Sequence, residues 1–106
     1  MMRAGDYAKL QMNKMLKAGE SLDENQYLCR VLRFDAKKEW IYLSLEQAEL
    51  PAISLDAIYS CKIRTAEEQL SCTVRVRERY CGAEGKTLVL VLENGFYKIN
   101  LNSVDK

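Results

Sequence analysis

The sequence predicts a mainly β protein: a small antiparallel six-stranded (split) β-barrel with a short N-terminal helix. From Tyr27 onward, apolar and polar residues alternate with the period of two that half-buried strands show, and short polar loops separate the alternating segments. A chain of 106 residues suits one domain and is too short for two independent cores. We therefore expect residues 1–26 to form a helix and a polar loop, and residues 27–106 to form the barrel domain.

Residues 6–17 carry the helix prediction. Leu10, Lys14 and Met15 are good helix formers, and Tyr7 and Leu10 can share one helical face with Met15 or Leu16. Gly19 follows as a natural end. A frayed arm is the alternative for this segment, and residues 20–26 are polar and are predicted to be a loop.

Six strands are predicted, at residues 27–34, 40–45, 58–64, 69–80, 87–93 and 96–101. Pro51 excludes a central strand from residues 46–56. Residues 65–68 form the loop of a hairpin in which every apolar residue meets an apolar partner if the loop is symmetric. The register places Arg64 opposite Gln69, Ile63 opposite Leu70, Cys61 opposite Cys72 and Tyr59 opposite Val74.

Residues 88–92 are apolar on both faces of their strand, because three leucines alternate with Val89 and Val91. Such a strand is expected to be covered on both sides. The barrel interior covers one side, and the N-terminal helix or a second subunit covers the other. We therefore predict a protein partner or a homodimer through the Leu88–Leu92 strand region.

The charge balance limits the partners. Sixteen basic residues and fifteen acidic residues leave a net charge of +1, so no whole-protein field concentrates nucleic acid or anionic lipid. The charged N-terminus is unlike a signal peptide, and the longest apolar run is far too short to span a membrane. We expect a cytoplasmic protein without membrane insertion, whose cysteines are thiols.

The chain offers no catalytic machinery. It has no histidine, which removes the commonest general base and a common zinc ligand. The four cysteines lie too far apart for zinc-ligand spacing. Cys61 and Cys72 are either two small buried side chains or, if their strand pair is not hydrogen-bonded, a potential disulfide. We expect no enzyme activity, no metal and no cofactor.

Arg75, Arg77 and Arg79 alternate along one predicted strand and form the candidate ligand site. Three guanidinium groups on one face suit phosphate or a carboxylate-rich partner. The alternative is a solvated face balanced by neighbouring glutamates. Nucleic acid is not the expected partner, because the nearby aromatic residue, Tyr80, has the parity of the opposite face.

Residues 28–102 resemble the N-terminal split barrel of YcgR-like flagellar brake proteins, the domain that precedes a PilZ domain. The similarity lies in the strands at residues 27–32 and 40–45, the irregular link through Pro51, and the hairpin that ends at residues 74–80. It implies a PilZ-like regulatory or adaptor module that acts through protein contacts, in bacterial motility or surface signalling.

PilZ domains themselves bind cyclic di-GMP through Arg-x-x-x-Arg followed by Asp/Asn-x-Ser-x-x-Gly. Arg75 and Arg79 have the first spacing, but no later stretch has the second motif, and residues 100–103 fail it. A sensor of cyclic di-GMP or another phosphate ligand, acting through Arg75, Arg77 and Arg79, is therefore the alternative function.

Overall fold

The structure is a computed structural model that describes residues 2–16 and 21–99. Within these ranges the chain forms seven strands and one 3-10 turn, Leu50–Ala52. The strands are β1 (Tyr7–Met15), β2 (Gln26–Asp35), β3 (Trp40–Leu45), β4 (Ala57–Arg64), β5 (Gln69–Gly82), β6 (Gly85–Leu92) and β7 (Tyr97–Ile99).

Strands β1–β6 close into an antiparallel barrel in the order β4-β1-β2-β3-β6-β5, with β5 returning to β4. The predicted six-stranded antiparallel barrel is confirmed as a fold class, but one of its six strands is β1, which lies before the predicted barrel domain, and the strand predicted at residues 96–101 is not part of the closed barrel. The short strand β7 pairs with the start of β5 and does not take part in closure. Residues 100–101 of the last predicted strand lie outside the described residues.

The predicted N-terminal helix is wrong, and the described part of this segment is strand β1. Ala8 and Leu10 are buried, whereas Lys9 and Gln11 are exposed, so the segment has the period of a strand. Its helix propensities amount to a few tenths of a kcal/mol per residue. Pairing with β2 on one edge and β4 on the other outweighs them.

The β4–β5 hairpin has the predicted register: Arg64–Gln69, Ile63–Leu70, Cys61–Cys72 and Tyr59–Val74 are all paired. Thr65 closes its loop. The Thr65 hydroxyl donates to the Glu68 carbonyl at 2.9 Å and accepts the Glu68 N–H at 3.0 Å. The Thr65 backbone N–H also donates to the Glu68 carbonyl.

The barrel interior is filled by inward side chains from all six strands. The core includes Leu10, Val31, Ile41, Leu43, Tyr59, Ile63, Leu70, Val74, Leu88 and Leu90. Every buried side-chain nitrogen and oxygen in the described residues has a hydrogen-bond partner. The interior is thus a packed core, as expected for a small barrel.

Residues 46–56, which we call the plug segment, close one end of the barrel with Ile53. The Ile53 side chain is fully buried, and Leu50 packs against the core beside it. Pro51 occupies the first turn of the 3-10 turn, where no backbone donor is needed.

Side chains from three strands hold the plug segment by its backbone. The Tyr59 hydroxyl accepts the Ser54 N–H at 2.9 Å, and the Lys86 ammonium donates to the Ala48 carbonyl at 2.6 Å. The Arg79 guanidinium donates to the Ile53 carbonyl. The irregular link predicted around Pro51 is therefore a fixed part of the fold.

Within the described strands, three bulges interrupt the register, at Asn13 in β1, Leu32 in β2 and Arg77 in β5. A bulge bends its strand and changes which face the following side chains occupy.

No α-helix occurs in the described part of the chain. Residues 2–16 and 21–99 contain no helix that is long and apolar enough to cross a membrane.

Candidate binding surfaces

The outer surface of the barrel carries the candidate sites, because the interior is filled. Four depressions in this surface have volumes of about 160, 130, 100 and 220 Å³. Among the described residues, no group of three or more histidine, cysteine or acidic side chains is placed to hold a metal ion.

Cys29, Cys61 and Cys72 are buried free thiols, whereas Cys81 is an exposed free thiol on the β5–β6 hairpin. Burial raises the pKa of Cys29 to about 12. A hydrogen bond with Cys72 and burial both raise the pKa of Cys61. The thiols of Cys29 and Cys61 are therefore protonated at neutral pH, and they behave as small apolar side chains rather than nucleophiles.

The Cys61–Cys72 pair lies at a hydrogen-bonded position of the hairpin. The Thr65–Glu68 pair is hydrogen-bonded, and the register of β4 and β5 has no shift. Cys61 lies four residues before Thr65, which is an even number, so the Cys61–Cys72 pair is of the same hydrogen-bonded type. Hydrogen-bonded pairs alternate with non-hydrogen-bonded ones and have the wider Cα separation. A disulfide is the alternative for a pair that is not hydrogen-bonded. Cys61 and Cys72 are both free thiols, as expected for a hydrogen-bonded pair.

The three predicted ligand-binding arginines do not share one face. Arg75 and Arg77 are exposed on the outside of β5. Beyond the bulge at Arg77, Arg79 pairs with the fully buried Leu88 and reaches the plug segment. The bulge therefore directs Arg79 toward the end of the barrel, a change that simple alternation does not reveal.

Each of these arginines already has a partner. Arg75 forms an ion pair with Glu93 at 3.4 Å, and Arg77 forms one with Glu78 at 3.7 Å. Arg79 is hydrogen-bonded to the Ile53 carbonyl. Ligand binding by Arg75, Arg77 and Arg79 remains a prediction, and a ligand there would compete with these contacts.

Two aromatic side chains of β3, Trp40 and Tyr42, lie on the outer surface with ring centroids 6.4 Å apart. Arg77 and Lys38 lie over the Trp40 ring at 4.4 and 4.6 Å, and Arg33 lies over the Tyr42 ring at 4.0 Å. We call these five residues the aromatic face. Sequence reasoning missed it, because β3 and β5 are not neighbours along the chain.

The aromatic face also explains the apolar outer side of β6. Val89 is only 2% exposed, although it faces away from the interior residues Leu88 and Leu90. It pairs with Tyr42 on β3 and Glu78 on β5, whose side chains share its outward side. Only Val91 and Leu92 in the predicted contact strand are half-buried.

A second outward surface lies on the opposite seam of the barrel, where β1 pairs with β4. Lys9, Lys62 and Arg64 line one depression of about 160 Å³ together with Tyr7 and Gln69. Lys9 and Lys62 also line the adjacent depression of about 100 Å³, with Gln11, Gln26 and Ser60. We call Tyr7, Lys9, Lys62 and Arg64 the basic face.

The charges of the basic face have no ion-pair partner in the described part of the chain. Lys9 and Lys62 are directly opposed across the strands, an arrangement that like charges disfavour. Among residues 2–16 and 21–99, no carboxylate lies within ion-pair distance of Lys9, Lys62 or Arg64. By contrast, the three arginines of β5 each have an ion-pair or hydrogen-bond partner.

Tyr7 provides an exposed ring at the edge of the basic face. Its side chain is 47% exposed, and the Arg30 guanidinium lies 4.5 Å from its centroid and donates to its hydroxyl at 2.6 Å. Arg30 in turn forms an ion pair with Glu46 at 3.6 Å. The sequence signal for this face was the alternation of residues 7–11, which the helix interpretation obscured.

Asp23 fixes the turn that leads into β2. Its carboxylate accepts hydrogen bonds from the Tyr27 hydroxyl and from the Asn25 backbone N–H at 3.0 Å. These bonds, with the Tyr27 hydroxyl the stronger influence, lower the pKa of Asp23. Burial and the neighbouring Asp23 carboxylate raise the pKa of Tyr27.

No protein-family model, curated protein or solved structure matches this chain.

Proposed function

We propose that the chain is a non-catalytic, PilZ-like split-barrel adaptor that regulates another protein by binding it through the aromatic face. The observation that carries this proposal is the grouping of Trp40, Tyr42, Arg33 and Arg77 on one outward surface. Tryptophan, tyrosine and arginine are the residues most enriched among the energetic centres of protein interfaces.

The resemblance to the N-terminal domain of YcgR-like proteins supports a setting in bacterial motility or surface signalling, within the cytoplasm. The packed barrel interior also supports a binding role on the outer surface. The partner is another protein or a second copy of this chain. In either case it contacts the aromatic face and the half-buried Val91, which pairs with Trp40.

The first experiment separates the two kinds of partner. Sedimentation velocity over a wide concentration range tests for the homodimer, which requires a concentration-dependent increase in mass. A strict monomer directs the search to other proteins. Capture from a lysate of the source cells is then run in parallel with the wild-type chain and with a Trp40→Ala/Arg77→Ala variant.

A captured protein supports the proposal only after purification and measurement by calorimetry. If Trp40 is an energetic centre, the Trp40→Ala change weakens binding by about 30-fold or more, equivalent to about 2 kcal/mol. A Lys9→Gln/Lys62→Gln variant is the matched control and keeps the affinity, because its changes lie on the other seam. Equal affinities for wild type and the Trp40 variant would refute the proposal.

The alternative, a sensor of cyclic di-GMP or another phosphate ligand, is tested by calorimetry with cyclic di-GMP. Saturable heat that is lost in an Arg75→Gln variant would replace the adaptor proposal. An Arg79 variant is not used to test ligand binding. Replacing Arg79 also removes its hydrogen bond to the plug segment, so a loss of binding would have two explanations.

A further inference from the structure

We propose that the basic face binds single-stranded nucleic acid, with phosphates held by Lys9, Lys62 and Arg64 and a base packed against Tyr7. This surface is separate from the aromatic face, so the inference does not depend on the adaptor proposal.

The charge pattern gives the first argument. Three cations line one depression, and no carboxylate in the described residues is within ion-pair distance of them. Lys9 and Lys62 repel each other across the strand pair. A phosphate between them relieves that repulsion and also meets Arg64, whose guanidinium suits phosphate oxygens.

The shape gives the second argument. The two depressions are adjacent because they share Lys9 and Lys62. A ligand that follows them therefore presents an anionic group at their boundary and extends to both sides. A nucleic-acid strand has such a repeating backbone, whereas a single inorganic phosphate fills only one position.

The remaining side chains favour a nucleic acid over an acidic peptide. Tyr7 offers a ring that is 47% exposed, and aromatic stacking is a general means of holding unpaired bases. Gln11, Gln26 and Ser60 line the second depression and can both donate to and accept from base edges. A peptide carboxylate requires donors alone and gains little from the ring.

The net charge of +1 does not oppose this inference, because binding depends on the local field of the basic face. Three phosphate contacts predict modest affinity with a defined salt dependence. For single strands, the logarithmic slope of affinity against salt is about −0.7 per contact, or about −2 for three contacts. Affinity then falls by about twentyfold between about 50 and 200 mM salt.

The experiment is a fluorescence anisotropy titration of labelled oligo(dT) and oligo(rU) of about 12 nucleotides, a length that covers the face. We expect saturable binding at about 50 mM salt and the salt slope given above. A Lys9→Gln/Lys62→Gln/Arg64→Gln variant loses at least tenfold in affinity. Removal of three charges elsewhere, in an Arg33→Gln/Lys38→Gln/Arg75→Gln control, changes affinity by less than threefold.

Tyr7 is tested separately. The Tyr7→Ala change weakens oligonucleotide binding by at least fivefold, whereas Tyr7→Phe keeps the ring and stays within twofold of wild type. Circular dichroism of each variant verifies the barrel. Lys62→Gln alone also raises the melting temperature slightly, because it removes the opposed like charge.

Four outcomes would overturn the inference. The first is the absence of saturable oligonucleotide binding, and the second is an equal loss of oligonucleotide affinity in the control variant. The third is that inorganic pyrophosphate displaces the labelled strand as effectively as unlabelled oligonucleotide does. The fourth is preferential binding of an oligoglutamate peptide. The last outcome identifies an acidic protein segment as the ligand. Each result is independent of whether Trp40 binds a protein partner.

Discussion

The burial of Ile53 in the plug segment allows a quantitative test of how the barrel end is closed. The change Ile53→Ala deletes three carbon atoms from a fully buried side chain. At about 0.8 kcal/mol per buried methylene, the transfer term is about 2.4 kcal/mol. A residual cavity adds to this, so we expect the free energy of unfolding to fall by about 3 kcal/mol, within the range for such changes.

Leu55 provides the matched control, because it belongs to the same segment but is 44% exposed. The change Leu55→Ala should alter the free energy of unfolding by less than about 0.5 kcal/mol. Comparing the two variants separates the loss of the plug from any general effect of shortening an aliphatic side chain in this loop.

Urea unfolding followed by far-ultraviolet circular dichroism measures both effects. With a slope of about 1.5 kcal/mol per molar urea, Ile53→Ala lowers the midpoint by about 2 M. The melting temperature falls by about 12 °C, at about 4 °C per kcal/mol for a domain of this size. If Ile53→Ala and Leu55→Ala shift the midpoint equally, Ile53 does not close the barrel and the reasoning fails.

Three further predictions concern other parts of the barrel. Cys81 should be the only cysteine that reacts rapidly with a thiol reagent before unfolding, and all four should react in denaturant; rapid reaction of a second thiol would contradict the burial of the other three. The ionised Asp23 carboxylate adds to the free energy of unfolding above about pH 4. This contribution is lost as the pH falls through the lowered pKa that Asp23 has in the folded state. Urea midpoints between neutral and acid pH should therefore fall less in Asp23→Asn, and an unchanged pH profile would count against the Tyr27–Asp23 hydrogen bond. Thr65→Ala should lower the free energy of unfolding by about 1 kcal/mol in the same assay, because the hydroxyl makes the bonds that close the β4–β5 loop; a neutral effect would show that water replaces them.

The elements that sequence reasoning located best are those defined by local pattern. The β4–β5 hairpin joins neighbours in the chain, and its apolar residues match in only one register. The β-barrel fold class is predicted from such strands, because their alternating residues can be recognised within each segment. Residues 6–17 are predicted as a helix because their propensities favour one. The strands that pair with β1 in the structure, β2 and β4, are distant from it in sequence.

The candidate sites were harder to predict for the same reason. The aromatic face joins β2, β3 and β5, and the basic face joins β1 and β4, so neither is a run of residues. The arginine pattern of β5 was visible in the sequence, but the bulge at Arg77 was not. A bulge changes the alternation without a signature in residue type, and it separates Arg79 from Arg75.

The position of the basic face also bears on how the barrel folds. The β1–β4 pairing brings Tyr7 to Arg64, and so joins segments that are much farther apart in sequence than the two strands of the β4–β5 hairpin. Closing this seam carries a larger entropic cost than forming the hairpin, so it is expected late in folding. Until it closes, β1 and β4 are the two open edges of a six-stranded sheet. Lys9, Lys62 and Arg64 then place positive charge on both edges, and two unclosed chains repel each other where they would otherwise join. Salt that screens these charges should speed closure, and it should also increase association between chains that have not yet closed.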